Sequence, residues 1–435
     1  MVDMSIITNM LERIKLPEMI QVRQSFNHDH IENMEIELRQ ILDKGEMVGE
    51  IRSDMSVAIT AGSRGICNIS AILRILVDEV RKRGAYPFIV PAMGSHGGAT
   101  AEGQCKVLND LGITESSMGC PICSSMNVIR IGTTSAGKPV YLDAYAAKAD
   151  GIIIVNRIKA HTSFTGSYES GLLKMMAVGL GKQAGAQACH SEGHGRMAEF
   201  VEEYGSAVLK QANILFGVAV IENAYNQTRR IELVKKEEFL NREPYLLEEA
   251  KQHMPQLYLT DIDVLIVDKM GKDISGLGMD PHVTGCFATR YASGPQKPGG
   301  MAVLDMTEAA HGNANGVGVA DVITRRLFQK IDFAATYANV MTAALSQAAK
   351  IPMIMENDKD AILATIVLSG NAGKSDLRIV HIHDTLHLEE ISVSEAFLDE
   401  VKNHSQIKLT GQKGPFMFDS SGNLFHWKTK SKAYI

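Results

Sequence analysis

The sequence has 435 residues, of which 45% are hydrophobic and 22% charged, and its formal net charge at pH 7 is −6. This composition is ordinary for a globular protein, and the length predicts two large or three small domains. Lys and Arg are not gathered into a stripe, which argues against nucleic acid as a partner. Because the sequence shows neither a signal peptide nor an apolar run of about 20 residues, we expect a cytoplasmic protein without a membrane anchor.

The N-terminal half repeats a pattern of strand, loop and helix. Apolar segments predict strands at residues 56–60, 87–92 and 151–155. Apolar residues at helical spacing predict a helix over residues 69–83 and another from about 168 to 178. Alternation of this kind is typical of an α/β fold with a mostly parallel sheet.

A second domain is predicted after a charged stretch, residues 229–255, which is expected to form a linking helix. The strand pattern then restarts at residues 263–268, 351–356 and 378–383. We therefore predict two α/β domains with mostly parallel sheets, residues 1–250 and 251–435, and an active site in the crevice between them.

Three predicted strands end in loops that carry reactive side chains. These loops contain Ser63 and Arg64, then Gly94 and His96, and then His161. Ligands of open α/β sheets bind beyond the carboxyl ends of the strands. Arginine grips carboxylates or phosphates, and histidine exchanges protons near neutral pH. An arginine here could equally be a surface ion-pair residue, but a Gly-Ser-His-Gly-Gly loop offers an imidazole little to pack against.

Lysine and histidine residues follow these loops. Lys174 ends an apolar turn, so burial could lower its pKa and make it a nucleophile, although spacing alone favours an ordinary lysine that reaches solvent. His190 and His194 have the i, i+4 spacing that could chelate a metal on a helix, but glycines nearby weaken a helix.

Two further features have plain alternatives. The Cys120-Pro-Ile-Cys123 segment has no second pair at zinc spacing, so reduced thiols are favoured over a metal or redox site. Lys272 lies in a Gly-rich loop after a strand, which could contact substrate or form a structural turn.

Taken together, these residues resemble the lactate racemase family, whose members use a nickel-pincer nucleotide. The resemblance rests on five features in order. They are Gly62-Ser63-Arg64, Gly94-Ser95-His96, His161, Ser170-Gly-Leu-Leu-Lys174, and His190 sixteen positions beyond the lysine.

The resemblance implies a role for each residue. Residues 1–250 would form the cofactor-binding catalytic domain, and Lys174 would tether Ni(II) pyridinium-3,5-bisthiocarboxylic acid mononucleotide covalently. His190 would be the protein ligand of nickel, and His96 and His161 the acid–base pair. Arg64, with Ser63 and Gly94, would contact cofactor, and Arg64 could also bind substrate.

The sequence also departs from the family pattern. Ala61 stands where lactate racemases usually have Asp, and the gap of thirteen between His161 and Lys174 is longer by a few residues. The Gln and Lys that contact substrate there have no clear match, although Lys272 could substitute. These differences favour a divergent member whose substrate is not lactate.

The resulting hypothesis is an isomerase, a racemase or epimerase that inverts the carbinol carbon of a 2-hydroxy acid by reversible hydride transfer to the cofactor. A sugar acid is one candidate substrate, and maturation enzymes are implied partners, so protein from a host without them would lack cofactor. The alternatives are a zinc-dependent hydrolase or lyase that uses His190 and His194, or a non-catalytic nucleotide- or anion-binding module. The sequence does not fix the oligomeric state.

Overall fold

The structure is a computed structural model that describes residues 5–191 and 193–425. Within this part of the chain, the strands in chain order are β1 Met19–Gln24, β2 Ser56–Ala61, β3 Tyr86–Pro91, β4 Val128–Thr133, β5 Pro139–Asp143, β6 Gly151–Arg157, β7 Ile214–Glu222, β8 Thr228–Lys235, β9 Val264–Met270, β10 Gly300–Met306, β11 Val322–Thr324, β12 Met353–Met355, β13 Ile379–Ile382, β14 Glu390–Ser394 and β15 Ile407–Leu409.

The α-helices of the same residues are α1 Ser5–Leu11, α2 Met34–Lys44, α3 Ile69–Lys82, α4 Ala101–Asp110, α5 Glu115–Met118, α6 Leu172–Lys174, α7 Lys182–Ser191, α8 Met197–Gln211, α9 Phe239–His253, α10 Pro281–Thr284, α11 Arg325–Gln329, α12 Phe333–Ala343, α13 Asp358–Leu368 and α14 Leu398–Asn403. A π-helical turn, Met175–Gly179, follows α6 directly. No helix of these residues combines the length and the apolarity that crossing a bilayer requires.

Residues 27–254 form one compact unit around a five-stranded sheet in the order β3-β2-β6-β7-β8. The first four strands are parallel, and β8 is antiparallel to β7. Alternate residues of β2 enter separate cores, with Val57 and Ile59 in one and Ala58 in the other. Side chains alternate across a strand, so helices cover both faces of this sheet.

Residues 5–26 and 255–425 form a second compact unit. Its eight-stranded sheet has the order β12-β11-β10-β9-β13-β14-β1-β15. The first five strands in this order, β12 to β13, are parallel, whereas β14 is antiparallel to both of its neighbours, β13 and β1. The predicted class, α/β with mostly parallel sheets, is confirmed. The predicted domain limits and the crevice between the domains stay predictions.

Two predicted helices were partly wrong. The charged stretch 229–255 begins as strand β8 and becomes helix α9 only at Phe239. An edge strand is half-exposed and tolerates charge, so its charged side chains hid the strand. The helix expected over 168–178 begins only at Leu172, because Ser170 is still paired with Lys159 in a β-bridge.

Candidate active site

The loops that follow β3, β2 and β6 lie side by side, because these parallel strands are neighbours in the sheet in that order. Their carboxyl ends therefore meet at one edge. The Ser63 hydroxyl and Nδ1 of His96 form a hydrogen bond across the first two loops. Two predicted site residues from separate loops are thus in direct contact.

Lys174 ends helix α6, and the protonation equilibrium of its amine is shifted towards the neutral form. Burial is the main cause that lowers its pKa to about 8, and the positive charge of Arg64 lowers it further. Cys189 and Glu169 act in the opposite direction. A lysine with a lowered pKa is a nucleophile near neutral pH, because much more of it is unprotonated. The lowered pKa therefore favours a reactive amine over an ordinary lysine that reaches solvent.

Arg64 supplies a desolvated positive charge beside that amine. Its side chain is half-buried, and burial, followed by the charge of Arg157, lowers its guanidinium pKa. Arginine nevertheless stays charged in proteins. A partly desolvated guanidinium suits an anionic group such as a carboxylate or phosphate.

His161 and Lys174 both lie near the aromatic ring of Phe164. The centroids of the His161 and Phe164 rings are 4.3 Å apart, and Lys174 Nζ lies 5.8 Å from the Phe164 centroid. Phe164 is fully buried in the core, with 1% of its surface exposed. A fixed ring thus places an imidazole and a nucleophilic amine close together.

The turn that presents Lys174 is built around a buried acid, Glu243. Its Oε2 accepts the Leu173 N–H at 2.9 Å, and the Asn156 side-chain amide donates to the Gly171 carbonyl at 2.7 Å. A Cβ at residue 171 would overlap the Glu243 carboxyl. The glycine of the Ser-Gly-Leu-Leu-Lys motif is therefore required by this carboxyl. Burial raises the pKa of Glu243 to about 7.

The loop that carries His161 is fixed by a second buried acid, Glu169. Its Oε2 accepts the His161 N–H at 2.6 Å, and its Oε1 accepts the Gly166 N–H at 3.3 Å. Lys251 balances the charge, with Nζ 3.1 Å from Oε1 of Glu169. The Ser163 N–H donates to Nδ1 of His161 at 3.1 Å. Because Nδ1 accepts, the neutral ring carries its proton on Nε2.

Comparison with known proteins relates the N-terminal part of the chain to one family. Residues 13–199 match the family model of the lactate racemase N-terminal domain. This segment belongs to the lactate racemase N-terminal domain family. The match spans Ser63, Arg64, His96, His161 and Lys174. It supports a lactate racemase-like function.

Among solved structures, a protein from Thermotoga maritima is similar, with a TM-score of 0.48 and 13% sequence identity over 64% of this chain and 72% of that chain. The lactate racemase apoprotein from Thermoanaerobacterium thermosaccharolyticum is similar with a TM-score of 0.47 and 12% identity, over 85% of this chain and 98% of that chain. No curated protein matches the chain.

The two histidines considered as a metal pair do not share a helix. His190 lies in α7, which ends at Ser191, and its side chain is outside the described residues. His194 begins a separate 3₁₀ turn after Gly193, which has a φ of +76°. His190 and His194 therefore do not form an i, i+4 pair on one helix, in line with the expectation that the nearby glycines weaken a helix there. Within residues 5–191 and 193–425, no three His, Cys, Asp or Glu residues are grouped to hold a metal.

Two other predicted contacts are engaged within the protein. Lys272 lies in the unit of residues 255–425, where its Nζ donates to the Gly276 carbonyl at 2.6 Å and to Asn339 Oδ1 at 2.7 Å. Gly94 has a φ of +59°, which favours glycine, and its N–H donates to the Gly179 carbonyl at 3.1 Å. That N–H is not free for an anion.

The Cys120 and Cys123 thiols are free and do not form a reactive pair. Burial raises the pKa of Cys120 to about 11 and also raises the pKa of Cys123. Because the thiolate is the reactive form, both thiols are poor nucleophiles at neutral pH. The structure agrees with reading them as plain reduced cysteines.

Sequence reasoning missed the buried polar residues that hold the site. Glu243 is the clearest case, and a signal for it exists. It lies on the buried face of α9 with Phe239, Leu246 and Leu247. An acid within an apolar helical stripe must be hydrogen-bonded inside the protein, which marks it as a residue with a structural or functional role.

We expect the acetylation of Lys174 in cofactor-free protein to have its pH midpoint near 8, below the midpoint of exposed lysines. At pH 8, a pKa of about 8 leaves half of the Lys174 amine neutral. With the usual lysine pKa of 10.5, the neutral fraction at the same pH is roughly a hundredfold smaller. Peptide mass mapping across pH measures the midpoint, with exposed Lys148 as the internal reference. A midpoint for Lys174 equal to that of Lys148 would contradict the burial argument.

Proposed function

We propose that the chain is an isomerase, a racemase or epimerase of a 2-hydroxy acid that depends on a nickel-pincer nucleotide. The observation that carries the proposal is the amine of Lys174. Burial and the charge of Arg64 lower its pKa, and it lies over the Phe164 ring that also packs on His161. The match of residues 13–199 to the lactate racemase N-terminal domain supports the same reading.

The residues present fit such a cofactor. Lys174 is a buried amine with a lowered pKa, as an acyl-type covalent tether requires. Arg64 is a desolvated cation suited to an anionic group of cofactor or substrate. By family resemblance His190, on α7, would be the nickel ligand. When bound, the nickel-pincer nucleotide would take the carbinol hydrogen as hydride and return it to either face.

His96 and His161 move the hydroxyl proton of the substrate. Ser63 engages Nδ1 of His96, which directs Nε2 towards proton exchange. In His161 the Ser163 N–H occupies Nδ1, so the neutral ring donates from Nε2. Each imidazole thus has Nδ1 engaged within the protein and Nε2 left for exchange of the hydroxyl proton, one imidazole for each face of the carbinol carbon.

The experiment that tests the proposal is intact mass measurement with nickel analysis, on protein co-expressed with the cofactor-maturation enzymes. We expect a covalent adduct with about one nickel per chain. Lys174→Ala should lose both, whereas the exposed control Lys148→Ala should keep both. No adduct and no nickel, in a host that matures an authentic lactate racemase, would overturn the proposal. A panel of chiral 2-hydroxy acids, sugar acids included, then identifies the substrate.

A further inference from the structure

A fully buried ion pair lies beneath the loop that carries His96. The side chains of Lys182 and Asp143 are both 0% exposed, and Lys182 Nζ lies 3.3 Å from Oδ2 of Asp143. The same ammonium donates to the Pro91 carbonyl, at the end of β3, and to Oε1 of Gln104 at 2.9 Å. The ammonium therefore has two hydrogen-bond acceptors in the core beside the charge of Asp143.

Gln104 carries this network to the His96 loop. Its amide nitrogen donates to the Gly94 carbonyl at 2.9 Å and to the His96 carbonyl at 3.3 Å. Gln104 is itself fully buried, on helix α4. Both of its N–H groups and its carbonyl oxygen are thus used, so the Gln104 amide has one orientation in which its own polar atoms are all hydrogen-bonded.

The other end of the network begins helix α7. Lys182 is the first residue of that helix and has a φ of +52°, a left-handed conformation that a lysine adopts only when its surroundings impose it. The Asp143 N–H donates to the Leu180 carbonyl at 2.7 Å, just before α7. Helix α7 contains His190, so one set of buried polar contacts joins this helix to the His96 loop.

Stability alone does not explain the choice of these residues. A buried ion pair costs desolvation, and apolar residues of similar volume often stabilise a core equally well. Apolar side chains could not, however, hold the carbonyl oxygens of Pro91, Gly94 and His96 at fixed points. The fixed position of the loop is what the polar network adds.

We propose that Lys182, Asp143 and Gln104 are positioning residues that hold the His96 loop against helix α7. Their part in catalysis rests on the proposed function, but the positioning itself is a property of the cofactor-free chain. A misplacement of about 1 Å at a reacting group can cost roughly a hundredfold in rate, so these distant side chains control turnover.

The test uses Gln104→Met, which keeps the length of the side chain and removes its three hydrogen bonds. The control is Gln211→Met, since Gln211 also donates to a carbonyl, that of Thr133 at 2.9 Å, but is exposed. The readout is the ¹⁵N spectrum of the imidazoles in cofactor-free protein, with His96→Gln to assign the His96 signals. We expect His96 to have one fixed tautomer in the wild type and in the control, and averaged tautomers in Gln104→Met.

Lys182→Met alone leaves Asp143 unpaired in the core and can prevent folding, so the second variant is Asp143→Asn with Lys182→Met. This pair is neutral, and Asn keeps the Oδ1 that accepts the Tyr145 and Ala146 N–H groups. We expect this double variant to unfold cooperatively on heating and to show the same averaged His96 tautomers as Gln104→Met. A fixed His96 tautomer in both variants would overturn the positioning role. Adduct formation is scored separately, so failure of the proposed cofactor does not affect this result.

Discussion

Replacing His161 by asparagine in matured protein is expected to lower kcat by roughly 10²- to 10⁴-fold, and His96→Asn to do the same. In the proposed mechanism each imidazole handles the hydroxyl proton in one direction of the inversion. Asn keeps a polar side chain of similar size but cannot exchange a proton at neutral pH. The measurement is the initial rate of inversion from each enantiomer of the substrate by chiral chromatography.

The two directions give an internal check. The equilibrium constant between enantiomers is one, so the ratio of forward to reverse kcat/KM is fixed. In each variant, kcat/KM must therefore fall by the same factor in both directions. Exposed His30→Asn is the matched control, and adduct mass must be unchanged in all three proteins. A variant of His96 or His161 that keeps its adduct and wild-type kcat would contradict its role in proton transfer.

The sheet edge that holds the site could be predicted from sequence, because its strands β2, β3 and β6 are buried on both faces. Such strands are short apolar runs with reactive residues directly behind them. Strand β1 left no such signal. It pairs with β14 near the opposite end of the chain, and local patterning does not encode a partner so far away.

The residues that tune the site could not be predicted in the same way. Lys174 was visible as a lysine after an apolar turn, but its pKa depends on burial and on the nearby charge of Arg64. Gln104 and Lys182 act through backbone carbonyls, whose positions exist only in the folded chain. Residue type thus indicates which chemistry is available, whereas packing decides which side chains carry it out.

Glu243 is expected to make the stability of the unit of residues 27–254 fall as pH rises from 5 to 8. Its pKa is about 7 in the folded chain against a usual 4.5, so the folded state binds the proton more tightly. This contribution is fully present below pH 4.5 and is lost as pH rises through about 7. The difference between the folded pKa and the usual pKa corresponds to roughly 3 kcal/mol in the free energy of unfolding.

The cause is the burial of a carboxyl with one satisfied oxygen. Oε2 accepts the Leu173 N–H, whereas Oε1 is buried and has no hydrogen-bond partner among the described residues. Ionisation therefore places a negative charge where one oxygen lacks a donor. Because the Leu173 N–H belongs to the turn that presents Lys174, the same protonation bears on the site itself.

Urea unfolding of wild type and Glu243→Gln at pH 5, 6, 7 and 8 measures the effect. Glu243→Gln would lower the free energy of unfolding by an amount that does not depend on pH, because the introduced amide group would occupy the position of the unpaired Oε1. The slopes of stability against pH are therefore compared, rather than the absolute values. We expect the wild-type curve to fall more steeply, by up to about 3 kcal/mol between pH 5 and 8. The exposed control Glu237→Gln should retain the wild-type slope. Parallel curves for wild type and Glu243→Gln would mean that the carboxyl is already ionised in the folded protein at pH 5.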